Sequence, residues 1–187
     1  MKKLLAALFL SATMIEPVLA KSLAGITLPE SMMAGDTKLV LNGGGIRTKF
    51  MMDIYVGGLY LTAPNRKADA IIAADEPMAI KLHMVSGMIT SEAMEEATMD
   101  GFKNTAGSNM KALAEPIDQF VAVFREPISE GDVFDIVNVP GKGIDVYKNG
   151  AFKGTVEGGP EFKRAVFGIW LGDKPAHKKL KSGMLGK

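Results

Sequence analysis

The sequence predicts an α+β protein in which one antiparallel sheet carries helices on a face of it. Three observations carry this reading. Strand-like segments fill the first half of the chain and return late, stretches of helical periodicity separate the two groups, and further helices close the chain. Residues 23–28 read as a short edge strand bounded by Pro29. Residues 37–42 alternate, with Leu39 and Leu41 on one face, as a half-buried strand does. Residues 48–61 are apolar on both faces, and Ile54, Tyr55, Val56 and Tyr60 favour a strand in the middle of a covered sheet. Residues 67–74 suit a short helix and 78–85 another strand. Thr90 or Ser91 can cap the next helix, where Glu92, Glu95 and Glu96 suit the positive end of the dipole. Met94, Ala97, Thr98, Gly101 and Phe102 then recur at helical spacing, and Gly107 is a natural stop. The stripe Met110, Leu113, Ile117, Phe120, Val121 and Phe124 is interrupted by Pro116, so a kink or a fresh start is expected there. Strands follow at 132–139, 143–147 and 151–156, with the hairpin signal Asn149-Gly150 between the last two. Pro160 opens a helix with Phe162, Val166, Ile169 and Trp170 on one face, stopped by Gly172. A last, basic helix is expected from Pro175 through Leu180 and Met184.

The first twenty residues are expected to be absent from the folded protein. Lys2 and Lys3 precede a short apolar run, and Val18-Leu19-Ala20 supplies the small residues of a cleavage site, so residues 1–20 read as a secretory signal cut after Ala20. The apolar run is too short to span a bilayer as a helix. No cysteine follows it, which excludes a lipid-anchored lipoprotein and fits export to a bacterial periplasm. Residues 21–187 are the right size for one domain with one core. Apolar residues make up 47% and charged residues 23% of the sequence, ordinary values for a globular protein. The net charge of +1 gives no sign of nucleic acid as a partner.

Arg47 is the residue that most needs an explanation. It follows Gly43-Gly44-Gly45 and leads into strand-forming residues. An arginine among buried strands requires an anionic partner, from the protein or from a ligand. The glycines would let backbone, or a ligand, come close. If one unbroken strand runs on from Arg47, then Lys49, Met51, Asp53 and Tyr55 share its face, and Arg47 can pair with Asp53 across a bend instead of holding a ligand. Tyr55 and Tyr60 fall on opposite faces, so only one of them can line a cleft.

Other chemistries fail earlier. The three glycines precede a strand, whereas a phosphate cradle opens a helix. His83 and His177 are the only histidines and there is no cysteine, so a transition-metal site lacks its usual ligands and no metal or cofactor is expected. Ser86-Gly87 lacks the flanking glycines of a nucleophile elbow. The 13 methionines suit flexible packing or a cleft that adapts to varied chains. Trp170 reads as a core residue that packs its helix on the sheet.

Two segments, LNGGGIRTKFMMDIYVGGLYL and FKRAVFGIWLGDKPAHKKLKSGML, resemble the bacterial exported branch of the chalcone isomerase-like superfamily. The resemblance implies an open-faced β-sandwich: a curved antiparallel sheet covered by a layer of helices, with a ligand cleft between them. Superfamily members include plant enzymes that close chalcones to flavanones, plastid proteins that bind fatty acids, and members without known catalysis. Arg47 matches the arginine that receives a carboxylate in the binders and polarises the reacting group in the enzymes. Tyr55 falls where the plant enzymes carry a threonine, and Ile169 where they carry a second. Their tyrosine and asparagine on the central helix have no clear counterpart, Asn104 being an approximate one. Most of the equipment for a phenolic substrate is therefore missing.

The expectation is a periplasmic, non-enzymatic binder of a small amphipathic carboxylate, foremost a fatty acid. Arg47 would hold the carboxylate with help from Tyr55, and the acyl chain would lie against Met94, Phe102, Ile117 and Phe120. Lys174, Lys178, Lys179 and Lys181 form a cationic face able to meet anionic lipid headgroups. The alternatives are a chalcone isomerase-type intramolecular lyase using Arg47 and Tyr55, and an envelope interaction module with no small ligand.

Overall fold

The computed structural model describes residues 22–187, and the signal read over residues 1–20 lies outside them. Seven strands form one curled antiparallel meander in chain order: β3 (Ser31–Ala34), β4 (Thr37–Lys49), β5 (Met52–Leu61), β6 (Met78–Met84), β7 (Val133–Val139), β8 (Gly143–Lys148) and β9 (Ala151–Val156). A small ribbon of β1 (Ser22–Leu23) and β2 (Ile26–Thr27) precedes them, so residues 23–28 turn back at Ala24-Gly25 instead of forming one strand. The helices are α1 (Ala68–Ala73), α2 (Ser91–Ala106), α3 (Ala114–Ala122), α4 (Gly159–Leu171) and α5 (Lys178–Met184). The α+β prediction holds, and so does the layer of helices over the sheet.

Several boundaries moved for identifiable reasons. Pro116 sits in the first turn of α3, where its missing N–H is harmless, so the second helical stripe begins afresh there. Helix α5 starts at Lys178, not Pro175, capped by a His177 imidazole nitrogen that accepts the Leu180 N–H. The largest difference lies at Arg47. Strand β4 continues through all three glycines to Lys49, turns back over Phe50-Met51, and β5 starts at Met52. Phe50 and Met51 have φ of 50° and 63°, the left-handed pair of a two-residue hairpin turn. Asn-Gly is the usual signal for such a turn, and two bulky apolar residues concealed it.

The core lies between the sheet and helices α2, α3 and α4. Phe102 meets Phe120 edge-on at 5.7 Å between ring centres and stacks on Phe162 at 6.0 Å. Met94 and Ile117 are buried in the same cluster. Across the sheet, Leu39, Tyr60, Ala79 and Val137 form a smaller cluster, and the Tyr60 hydroxyl donates to the Pro29 carbonyl at 3.0 Å. Tyr55 and Tyr60 therefore do face opposite ways. The buried Lys163 ammonium donates to the carbonyls of Ile71, Ile72 and Ala74, at 3.0, 2.8 and 2.8 Å, and so closes the C-terminal end of α1.

The glycines of β4 and β5 serve packing. A methyl group at Gly43 would overlap the Gly183 carbonyl and come within 2.9 Å of the Met184 carbonyl and the Gly186 nitrogen. At Gly45 it would meet the Leu180 Cα at 3.1 Å, and at Gly57 the Met184 methyl at 2.6 Å. Leu28 covers Gly44 and Gly58 from the other face. Helix α5 on one face and Leu28 on the other, not a ligand, fill the room the glycines leave. Asn42, the extra residue of a β-bulge, fixes the far end of α5 by donating to the Met184 carbonyl at 2.8 Å.

Because the neighbours of Gly43 are backbone atoms, which cannot rotate away, Gly43→Ala is expected to destabilise the fold by roughly 1–3 kcal/mol. Urea denaturation measures this; wild-type stability in the variant would show that α5 is not held there.

Candidate functional site: the Arg47 pocket

Alternation along β4 puts Gly43, Gly45 and Arg47 on one face. Helix α5 covers the two glycines, and Arg47 emerges just beyond it. Arg47 pairs with Tyr55 across the β4–β5 ladder, and its guanidinium carbon lies 5.5 Å from the centre of the Tyr55 ring. The two residues thus face each other from adjacent strands; the expectation that they share one unbroken strand is corrected by the Phe50-Met51 turn. A second bulge follows at once, with Ile54 as the extra residue before Asp53 pairs with Thr48. Its effect is to bring Tyr55 in place of Ile54 opposite Arg47, while Asp53 pairs with Thr48 at the neighbouring position. The Asp53 carboxylate accepts from the Thr48 hydroxyl at 3.4 Å, and among the described residues no ion pair includes Arg47.

Tyr55 is only 1% exposed, and its oxygen accepts the Trp170 indole N–H at 2.9 Å. Burial pushes the phenol above its ordinary 10.0, against the opposing pull of the Arg47 charge and of hydrogen bonds from Trp170 and Arg47. It remains a neutral hydroxyl at physiological pH. Trp170 is a core residue as read from the sequence, and it also fixes the ring on which Arg47 rests. A buried indole seeks a partner for its N–H, and that was the one signal in the sequence that could have linked Trp170 to the site.

Two pockets meet at Arg47, and Lys49, Ala93 and Ala97 line both. Ala93 and Ala97 lie one turn apart on α2, and their small side chains keep the helix surface back from the strands. One pocket, of about 300 Å³, is polar, with Asp100, Asn104 and Lys174 in its wall. The other, of about 210 Å³, is apolar, lined by Phe50, Met52, Ile54, Met88 and Ile89. A guanidinium therefore stands at the boundary between a polar and an apolar space. Two acids face the polar side: the exposed Glu96, and Asp100, which accepts from Lys103 at 2.7 Å.

The remaining sequence candidates sit elsewhere. Met94, Phe102, Ile117 and Phe120 pack into the core and line neither Arg47 pocket, so the space assigned to an acyl chain beside them is filled with side chains. Tyr55 lines neither pocket and supports Arg47 from beneath. Ile169 packs against Gly101 at the α2–α4 contact. Asn104, only an approximate match in the sequence, does reach the polar pocket. Among the described residues no group of three or more His, Cys, Asp or Glu side chains is placed to hold a metal.

A family model described as chalcone isomerase-like matches residues 20–186. The chain belongs to the chalcone isomerase-like family. The crystal structure of a fatty-acid binding protein from Arabidopsis thaliana superposes on this member with a TM-score of 0.69, covering 87% of this chain and 92% of that one at 22% identity. That likeness is one of fold. No curated protein matches the sequence.

Tyr55 leads to a pH prediction. A phenol that ionises later in the folded state than in the unfolded one leaves the native protein with more bound protons above pH 10, so stability falls as pH rises from there. Tyr60, also raised by burial and by the Asp135 charge, acts in the same direction. Tyr55→Phe is expected to make the alkaline loss of stability shallower, measured as urea midpoints between pH 9 and about 11. An unchanged slope would place the Tyr55 hydroxyl in contact with solvent.

Proposed function

We propose that this chain is a non-enzymatic binding protein for a small amphipathic carboxylate, a medium-chain fatty acid, and that it works in the periplasm after removal of residues 1–20. One observation carries the reading: Arg47 has no carboxylate partner among the described residues and stands where the polar and apolar pockets meet. Its guanidinium takes the ligand carboxylate as a paired, charge-assisted hydrogen bond, with Lys49 adding positive potential. Tyr55 and Trp170 keep the guanidinium oriented. The acyl chain enters the space among Ile54, Met52 and Met88. Support also comes from the fold shared with a plant fatty-acid binding protein.

The lysine face is part of the same proposal. Lys174 belongs to the polar pocket, and Lys178 and Lys179 stand exposed on α5, free to meet anionic headgroups. Lys181 is committed to the fold, donating to the Gly172 carbonyl at 2.9 Å. The isomerase reading has one observation in its favour, Asn104 in the pocket beside Arg47. Tyr55, where a threonine would be wanted, is buried beneath the arginine instead.

Trp170 is the only tryptophan, so its fluorescence reports on the Arg47–Tyr55 stack. Octanoate and decanoate are expected to bind and perturb it, and Arg47→Ala to lower affinity at least about tenfold, the worth of a charged hydrogen bond. Affinity unchanged in the variant would overturn the proposal, and Arg47-dependent cyclisation of a chalcone would replace it with the isomerase. A pocket of 210 Å³ holds roughly seven groups of water size at about 30 Å³ each. Affinity is therefore expected to rise with chain length up to about eight to ten carbons and then level off, as titration of a fatty-acid series would show.

A further inference from the structure

The β4–β5 hairpin ends in residues that neither its geometry nor its solvent exposure favours. Phe50 is 82% exposed and Met51 97%, in backbone conformations that suit Asn and Gly. Met88 from the loop before α2 is 68% exposed and lines the apolar pocket together with Phe50. Large apolar side chains thus project from one end of the molecule, where isolated exposed residues would need no explanation but a cluster does. Behind the tip stand cations: the Lys49 ammonium lies 5.6 Å from the Phe50 ring centre, and Arg47 and Lys174 follow at the pocket. Three acids nearby, Asp53, Glu96 and Asp100, are also exposed, and of these Asp100 is ion-paired with Lys103, so the cations Lys49, Arg47 and Lys174 outnumber the two acids without an ion pair. An apolar tip with a cationic collar complements an anionic lipid surface, acyl region to tip and headgroups to collar.

We propose that the Phe50-Met51 hairpin tip inserts into anionic bilayers and seats the mouth of the apolar pocket on the membrane, so that ligand passes between bilayer and pocket without crossing water. The docking rests on the tip alone; the passage of ligand rests on the fatty-acid reading of the Arg47 pocket. Phe50 and Met88 belong to both surfaces, which puts the pocket opening at the point of insertion. Met51 belongs to the tip only.

The test uses protein expressed from residues 1–187 and co-sedimentation with vesicles of phosphatidylglycerol mixed into phosphatidylcholine, beside vesicles of phosphatidylcholine alone. Wild type is expected to partition to the anionic vesicles and to be released by high salt. Met51→Gly removes the most exposed of these apolar side chains and suits the left-handed turn, so it is expected to melt no lower than wild type while partitioning at least about tenfold more weakly. Its octanoate affinity, measured without vesicles, should match wild type. Wild-type protein that ignores anionic vesicles, or Met51→Gly that binds them as well as wild type, would overturn the proposal. So would a wild-type dimer in sedimentation velocity that Met51→Gly dissolves, since a second copy would then cover the tip. Vesicle binding that depends on Met51 in a protein that takes no octanoate would leave the docking standing and remove the fatty-acid reading.

Discussion

The contact between α5 and the strands beneath it governs this end of the molecule. Backbone lies on backbone where Gly43 and Gly45 leave no side chain, the Leu180 and Met184 side chains fill the space over Gly57, and a Cβ at any of the three would crowd Gly183, Leu180 or Met184. Arg47 is the next residue on that face after the glycines, so the helix that covers them stops short of it. The segment leading into α5 supplies Lys174 and Ala176 to the pocket wall beside it. The close packing thereby defines where the site begins.

Arg47 then draws its character from what it lacks. A guanidinium beside a carboxylate would be neutralised and structural. Here the Ile54 bulge sets Tyr55 opposite it while Asp53 pairs with Thr48 at the neighbouring position, and its support is an uncharged aromatic ring held by an indole. The charge stays unpaired among the described residues, and the ring beneath it sets its place. Small alanines on α2 leave a gap on one side and methionines line the other, a combination that suits a ligand with one charged end and one flexible apolar end.

Much of this fold was legible in the sequence because its signals are local. The alternation of the late strands, the Asn149-Gly150 hairpin and the helical stripes need no tertiary context, and the family resemblance added the curved sheet and the helical layer. The Phe50-Met51 turn was not legible, since neither residue advertises a left-handed conformation, and from that one omission came the mistaken idea of a single strand carrying Arg47, Asp53 and Tyr55. The site was legible as an arginine and not as a pocket. Met94, Phe102, Ile117 and Phe120 have the apolar periodicity of a cleft wall and of a core equally, and only packing separates the two. Lys49, Ala93, Ala97 and Met88 carry no chemical signature in the sequence; they line the candidate site because the hairpin and α2 converge on them.

The most direct test of the account is carbon NMR of carboxyl-labelled decanoate bound to the protein, titrated with acid beside the Arg47→Ala variant. A carboxylate held by Arg47 resists protonation, so the bound signal should titrate at a lower pH than the free acid, and that bound signal should be lost in the variant. A bound carboxyl that titrates at or above the free value, or one that persists unchanged without Arg47, would contradict the assignment of Arg47 as the anion-binding residue.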